Sequence, residues 1–595
     1  MKKIIILLAA VLPLVTASAW ELQSPDGRLV VKPVDTQLEV SYDNAKVLVV
    51  SGFPSLQADA PIASIAIHHK FDTPVGEWSK VDVKGSALAI PGVEFRIYNE
   101  GFAWLPTTGK GAYTFDFGKD ATCWPVSHAQ GQYIPMPLSK LGTQAPIPSF
   151  APVEGFKMIN YTPEFMKAGS CEAPLVVETS RAVVSIGDAA VYGRARTRYM
   201  KAEGVGRVTS YSEGPRAGDT LPWQLVRVAK TPTELYAGNV LQLALAQPSA
   251  LTDTSFVKPG RVLRLARLDT ETGFRAVDFI VRHHMQYLEI DSGWYGQEHS
   301  GDPCVPGLAP ERVARGDQFD LMAILKYAKS KNVPVILYIN RYPLKKNYLK
   351  ILDTMKEWGV AGIKYGFLEV GSARARSFAF DLIREAAARG ILVDIHDEMR
   401  LTGEQRTYPN VMTVEGIHGN EEMPPSDHNA ALIFTRYLTG PGDYTPCWKV
   451  NSIKTTLAHQ LALAIATYSP WQFLYWYSRP EQIADDPALA LWDEVPTVWD
   501  ETRALQGEIG KFAVMARRSG DRWYVGCLNG LDKRTITIGP EFLGDAMWNC
   551  RIFRDANPDL EKGMGSVAVE TREVKGSLSI PCAARGGFSL ILEKK

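Results

Sequence analysis

Two kinds of hydrophobic pattern divide this chain. From about Trp20 to Leu245, short runs alternate apolar and polar residues, broken by Gly, Pro, Asn and Asp. Leu29 to Pro33, Gln37 to Tyr42, Ile62 to His68, Val93 to Tyr98, Leu175 to Thr179 and Ala182 to Ile186 all read as strands. Strands at this spacing, without helices between them, predict an antiparallel sandwich. Near Thr252 the texture changes, and apolar β-runs alternate with helix-length segments. Tyr287 to Asp291 is a strand ending in an acid. Phe319 to Ser330 reads as helix and Val333 to Tyr338 as strand. Asn347 to Trp358 then reads as helix and Gly362 to Tyr365 as strand. Arg376 to Ala388 is the next helix, followed by strands at Ile391 to His396 and Val411 to Glu415. Such βα repeats need a parallel sheet with right-handed crossovers, and about 250 residues of them fit a (β/α)8 barrel. A doubly wound open sheet is the alternative, but no GxGxxG follows the first strand. From about Lys511 the alternation returns at Trp523 to Leu528, Arg534 to Ile538, Ser577 to Ile580 and Phe588 to Leu592, predicting a small C-terminal β-sandwich.

Composition narrows the class. The 595 residues are 46% hydrophobic and 22% charged, which is ordinary globular usage and excludes disorder or a disulfide scaffold. Lys plus Arg equals Asp plus Glu at 65 each, so no basic excess points to nucleic acid. Lys2 and Lys3, the apolar run Ile4 to Thr16 and Ala17-Ser18-Ala19 together form an export-signal pattern, with cleavage expected after Ala19. No later run is long enough to span a bilayer, so the mature protein is expected in the periplasm or secreted, off the membrane. Seven cysteines (Cys123, Cys171, Cys304, Cys447, Cys527, Cys550 and Cys582) show no CxxC spacing, which argues against a zinc cluster, and their odd number leaves at least one thiol free unless it pairs between chains.

Polar residues gather at the C-terminal ends of the predicted barrel strands, where barrel enzymes place their chemistry. They are Asp291 with Trp294 and Tyr295, Asn340, Lys364 with Gly366, then His396, Asp397 and Glu398, and finally Glu415 and Glu421. Paired carboxylates with aromatic neighbours suit glycoside hydrolysis, in which one carboxyl protonates the leaving oxygen and a second acts as nucleophile or base. Crowded carboxylates also raise one another's pKa, keeping an acid protonated near neutrality.

Several stretches resemble glycoside hydrolase family 97. His396 to Gly403 resembles its His-x-x-x-x-Pro-Thr-Gly, with Leu401 in place of the proline. Arg406-Thr407-Tyr408-Pro409-Asn410 is similar to its Arg-Thr-Tyr-Pro-Asn, Glu415 to Glu421 to its Glu-x-x-x-Gly-x-Glu, and Gly440 to Pro446 to its Gly-Pro-Met-Asp-Tyr-Thr-Pro. Ile290 to Trp294 and Gly362-Ile363-Lys364 also fit. The resemblance implies an N-terminal β-super-sandwich (20–250), a catalytic (β/α)8 barrel (251–505) and a C-terminal antiparallel β-sandwich (506–595). It implies an exported hydrolase of α-linked glucosides or galactosides carrying Ca2+.

On this resemblance Glu421 is the general acid, Asp397 the general base, and Asp291, Trp294, Lys364 and His396 bind the α-linked oligosaccharide. The metal ligands are Asp188, Asp397, Glu415 and Glu421. Retaining members carry an aspartate two residues after the Lys364 position. Here Gly366 stands there, the inverting pattern, with room expected for a water beneath the anomeric carbon. A base glutamate that inverting members carry after the preceding strand is replaced here by Asn340. A retaining route through Glu369 or Glu398, and a degenerate barrel that binds glycans without cleaving them, are the alternatives.

Overall fold

The computed structural model describes residues 20–57, 63–107, 111–143, 167–295 and 319–595. The signal-like stretch, Ile62 and Cys304 lie outside them. The N-terminal region is an eight-stranded sheet packed against a nine-stranded one, both antiparallel. Period-two alternation explains the packing: in Gln37–Tyr42 the alternate residues Leu38, Val40 and Tyr42 are buried, and they join the core between the sheets. The strand expected from Ile62 runs instead from Ile65 to Asp72. It lies at the sheet edge, where one partner strand fixes its register and its residues are exposed or half-buried.

Among the described residues the barrel has seven parallel strands: β1 (Gly260–Arg264), β2 (Tyr287–Ile290), β3 (Val335–Asn340), β4 (Gly362–Gly366), β5 (Leu392–Ile395), β6 (Val411–Val414) and β7 (Trp471–Leu474). β7 pairs back onto β1. The place of an eighth strand, between β6 and β7, is held by an irregular extended segment. There the Asp443 amide donates to the Val414 carbonyl at 2.9 Å and the Gly442 amide donates to Tyr468 at 2.9 Å. A full ladder cannot form in this stretch, because Pro441 and Pro446 lack N–H groups and Thr445 has a positive φ of 60°.

The helices between strands start where a side chain satisfies their free amides. Asp269 caps Thr270–Arg282, Asp320 caps Leu321–Ser330 and Ser372 caps Ala373–Ala387. The helix expected from Asn347 begins at Arg341, capped by Asn340, and its backbone leaves helical geometry at Asn347. That break divides its hydrophobic period and hides the first turns from a sequence reading. Among the described residues no helix is long and apolar enough to cross a membrane.

Inside the barrel the N-terminal end is dry. Val262, Tyr287, Ile336, Leu392, Met412, Trp471 and Phe473 fill it. The Trp471 indole reaches across to β4, so that a Cβ on Gly362 would stand 2.2 Å from its Cη2. Chemistry is thereby confined to the other end.

The C-terminal region holds a six-stranded antiparallel sheet and a two-stranded one. Its first strand is Glu501–Glu508, earlier than the boundary expected at 506, because this half-exposed segment shows no clean alternation. The regions are clasped by one buried group. Arg517 donates to Glu77 of the N-terminal region at 2.9 Å and to the Ile465 carbonyl of the barrel at 2.6 Å, and Tyr236 donates to the same Glu77 carboxylate. Cys123, Cys171, Cys447, Cys527, Cys550 and Cys582 are buried thiols with no disulfide among them.

Gly362→Ala drives a methyl into the Trp471 ring, an overpacking that costs about 1–3 kcal/mol. A lowered Tm in thermal unfolding, restored when Trp471→Leu is added, is the expected result; an unchanged Tm shows that the plug yields freely.

Candidate active site

The dry plug leaves the C-terminal half of the barrel to charged groups. Alternation along the strands sends Glu289 and Asp291, Lys364 and Gly366, and Asp394 and His396 to the interior. Lys364 sits at the centre, fully buried, with its Nζ 3.3 Å from Asp291 and 4.3 Å from the Trp476 ring centroid. Arg264 approaches from β1, 2.7 Å from Asp291 and 4.7 Å from Trp476. These two cations, together with the Ser292 amide, hold the Asp291 carboxyl far below the usual range against the opposing effect of burial.

Around this pair stand carboxylates with little to hold them. Glu289 and Asp394 are fully buried and Asp443 nearly so, and neither oxygen of any of the three has a hydrogen-bond partner. Burial pushes each upward, Asp394 to about 7 and the other two well above their ordinary values. Lys364 opposes each shift but is shared among all of them. These three were not assigned a role from the sequence. Glu289 and Asp394 each lie two residues before a rim residue on the same strand face, a parity signal that was present. Asp443 lay inside a recognised motif without a role, and only the missing strand places it in the interior.

The rim follows. His396 leaves β5 with its Nδ1 3.1 Å from Glu415, and its ring stacks on Trp476 at 6.0 Å between centroids. Burial holds this imidazole well below its ordinary pKa, so it is neutral. Asp397, with φ of 71°, turns the chain sharply. Its amide donates to Glu415 at 2.6 Å, its carbonyl accepts from Gly416 at 2.6 Å, and its carboxylate accepts from the Phe367 amide. That last bond fixes Asp397 beside Gly366. Ligand atoms of His396, Glu415 and Glu421 lie within 4.8 Å of one another. Glu421 is raised, chiefly by burial, and Glu422 is raised to about 8 by burial and by Glu421.

The side-chain face of Gly366, expected open to water, is occupied. A Cβ there would lie 2.0 Å from the Tyr338 hydroxyl and 2.2 Å from its ring, so the phenol of Tyr338 fills the space an aspartate would use. Asn340, at the end of β3, accepts from the Tyr342 amide at 3.2 Å and donates to the Tyr338 hydroxyl at 3.4 Å.

Some expected site residues lie elsewhere. Trp294 is fully buried, its indole N–H donating to the Tyr338 carbonyl at 2.7 Å, and so does not face a sugar. Its large apolar ring packs edge-on against Tyr295 and Trp358, whereas Trp476 is the aromatic at the charged centre. Asp188 is closed off: Arg400 donates to one oxygen at 2.7 Å and the Thr197 amide to the other at 2.7 Å. Glu369 pairs with Lys345 at 2.9 Å, and Glu398 is bonded to His128 at 2.8 Å and the Ala129 amide at 2.7 Å.

Three sequence profiles match the chain. "Glycosyl-hydrolase 97 N-terminal" covers residues 22–248, "Glycoside hydrolase 97" covers 262–417, and "Glycosyl-hydrolase 97 C-terminal, oligomerisation" covers 498–593. A protein named retaining alpha-galactosidase from Bacteroides thetaiotaomicron is 30% identical over 405 residues, 62% of this chain and 59% of that protein. A probable retaining alpha-galactosidase from Streptomyces bingchenggensis is 29% identical over 58% of this chain and 54% of that one. The chain thus spans between half and two thirds of the length of these relatives. Among solved structures, a family 97 enzyme in complex with acarbose from Pseudoalteromonas sp. strain K8 superposes with a TM-score of 0.82 at 21% identity, covering 97% of this chain and 100% of that one. A beta-arabinopyranosidase gives 0.75 at 18% identity, with 96% and 100% covered. At those identities the likeness is one of fold.

A buried carboxyl whose pKa is raised by folding stabilises the native state fully below its unfolded value and loses that contribution as pH rises. For Glu289 the loss begins near 4.5 and continues upward. Glu289→Gln removes this titration, so its Tm falls less steeply above pH 4.5 than that of the unaltered protein. Parallel Tm–pH curves for the two proteins count against a proton held at Glu289.

Proposed function

The chain belongs to glycoside hydrolase family 97, and from that membership and the site above we propose that it hydrolyses terminal α-linked galactosides or glucosides with inversion. One observation carries the inverting reading. The β4 position where a nucleophilic aspartate would stand is Gly366, and the Tyr338 phenol fills the space of its side chain. Glu369 and Glu398, the displaced nucleophiles considered above, are bonded to Lys345 and to His128 and Ala129 away from that position. The relatives' names point to galactosides but to the retaining outcome. The Gly366–Tyr338 arrangement is what favours inversion here.

In this reading the sugar enters over the rim. Asp291, oriented by Arg264 and Lys364, and neutral His396 take its hydroxyls. Glu421, whose pKa burial raises, gives its proton to the glycosidic oxygen as the C1–O bond breaks. Asp397, fixed by the Phe367 amide, removes a proton from the attacking water, and that oxygen bonds to C1 from the face opposite the leaving group. Glu421 is left ionised and Asp397 protonated, and solvent exchange restores both.

A calcium ion fits part of this site. Glu415 and Glu421 offer oxygens close together; burial raises both, and for Glu415 the neighbouring carboxylates Glu421, Glu422 and Asp397 add to it. Asp188 does not fit, because Arg400 already neutralises it. Ca2+ held by Glu415 and Glu421, with Asp397 beside them, would supply charge neutralisation and fix the carboxylates. The lysine-led apolar start of the chain supports export to the periplasm.

Hydrolysis of nitrophenyl α-galactoside and α-glucoside tests the reading. Glu421→Gln lowers kcat by roughly 10²- to 10⁴-fold on unactivated α-linked disaccharides, while a variant that keeps most of its activity excludes Glu421 as the acid. Proton NMR of the first-formed sugar shows the β-anomer; an α-anomer product overturns inversion. Chelation lowers activity, and added Ca2+ restores it. Activity indifferent to chelator removes the metal from the account.

A further inference from the structure

Past β7 the chain makes a tight turn that brings two aromatic residues to the rim. The Ser478 amide donates to the Tyr475 carbonyl at 2.8 Å, and Tyr475 has a positive φ of 59°. Trp476 turns inward, buried over Lys364 and against His396. Tyr477, the next residue, is 41% exposed. Among the described residues it is the only aromatic side chain the fold leaves in solvent; the others are buried or half-buried.

The backbone under this ring is tied to the loop that carries Glu421. The Asn420 side-chain amide donates to the Gln460 side-chain oxygen at 2.6 Å, and the Cys447 backbone amide donates to the same oxygen at 3.0 Å. The Trp476 amide donates to the Pro446 carbonyl at 3.3 Å. The residues that precede Glu421 and Tyr477 are thus fastened, through 446–447, to one buried hub, Gln460. Burial and then the Glu421 carboxylate push the Tyr477 phenol up to about 12, so ring and acid lie within electrostatic reach and the ring is neutral at working pH.

The role of Glu421 gives this position its meaning. A general acid protonates the oxygen that departs, so it stands on the leaving-group side of the bond. Asp291 and His396, which take the glycone, lie inward over Lys364. A ring beside the acid and open to solvent lies outward, where the leaving group sits. Tyrosine offers an apolar face with a polar tip at low conformational cost. A pyranose matches it, with a C–H face for the ring and a hydroxyl edge for water, whereas a small alcohol leaves the ring uncovered. An anionic leaving group is disfavoured. Of the charges that act on this ring, Glu421 and Glu422 are carboxyls, and Arg264 is already paired with Asp291.

We propose that Tyr477 is the platform for the leaving sugar, and that the substrate is therefore a neutral α-linked disaccharide or longer chain rather than a glycoside of a small alcohol. This rests on the hydrolysis proposed above, with Glu421 as the acid. Contact with the departing sugar contributes binding energy that lowers the barrier at the bond being broken.

Two measurements test it, and one needs no turnover. The full chain carrying Glu421→Gln is titrated calorimetrically with melibiose and maltose and with methyl α-galactoside and methyl α-glucoside. At least one disaccharide binds more tightly than the methyl glycoside of the same terminal sugar. Adding Tyr477→Ala weakens that disaccharide about tenfold, Tyr477→Gln does the same with the side-chain bulk kept, and Tyr477→Trp retains the affinity. No disaccharide binding, or a preference that survives loss of the ring, overturns the platform. In the protein with Glu421 intact, kcat/KM for the disaccharide is compared with that for the corresponding α-glycosyl fluoride, whose leaving group is too small to reach the ring. Tyr477→Ala lowers this ratio about tenfold, and a ratio that does not move also overturns the platform. If neither substrate is hydrolysed while the ring-dependent disaccharide binding holds, the catalytic reading falls and Tyr477 stands as a sugar contact.

Discussion

The central constraint is a shortage of positive charge inside the barrel. Lys364 and Arg264 face Asp291, Glu289, Asp394 and Asp443, and only Asp291 has both cations in contact. Transferring several carboxylates from water without partners is too unfavourable for all of them to stay ionised, so some hold protons. The ionised Asp291 and the protonated acids around it follow from where two side chains reach. Burial raises Glu421 as well, against the pull of Lys364 and Arg264, and its carboxylate lies close to that of Glu415 and to the ring of His396.

Backbone irregularities place the remaining parts. Where β6 and β7 do not pair, the prolines of the intervening stretch prevent a ladder, and Asp443 enters the interior from a segment that is not a strand. The left-handed turn at Asp397 brings its amide onto Glu415 and its carboxylate onto Phe367. Tyr338 and Gly366 are a matched pair, in which the ring on one strand requires the missing side chain on the next. Read alone, the glycine suggests empty space. Read with its neighbour, it marks a place already taken.

Much of this was legible beforehand, because alternation and helical period are local. The three regions, most strand positions and the rim residues Asp291, Lys364, His396, Asp397, Glu415 and Glu421 all followed from periodicity and motif. What escaped depended on through-space partners. Nothing beside Asp188 in the sequence says that Arg400, far along the chain, will close it. Trp294 reads like a sugar platform until β3 supplies a carbonyl for its indole and Trp358 packs edge-on against it. Trp476 lies two residues past a short strand that the pattern did not reveal, so its place beside Lys364 could not be anticipated.

The clasp of Glu77, Tyr236 and Arg517 has a bearing on how such a chain can be shortened. Each member comes from a different stretch, and each is buried. Excising the C-terminal sheet would remove the guanidinium that neutralises Glu77 and uncover the surface around it, and excising the N-terminal arm would do the same to Arg517. The barrel is therefore not a portable module, and melting any one region should take the others with it. Lineages that recombine barrels freely with new appendages would first have to lose this ionic knot.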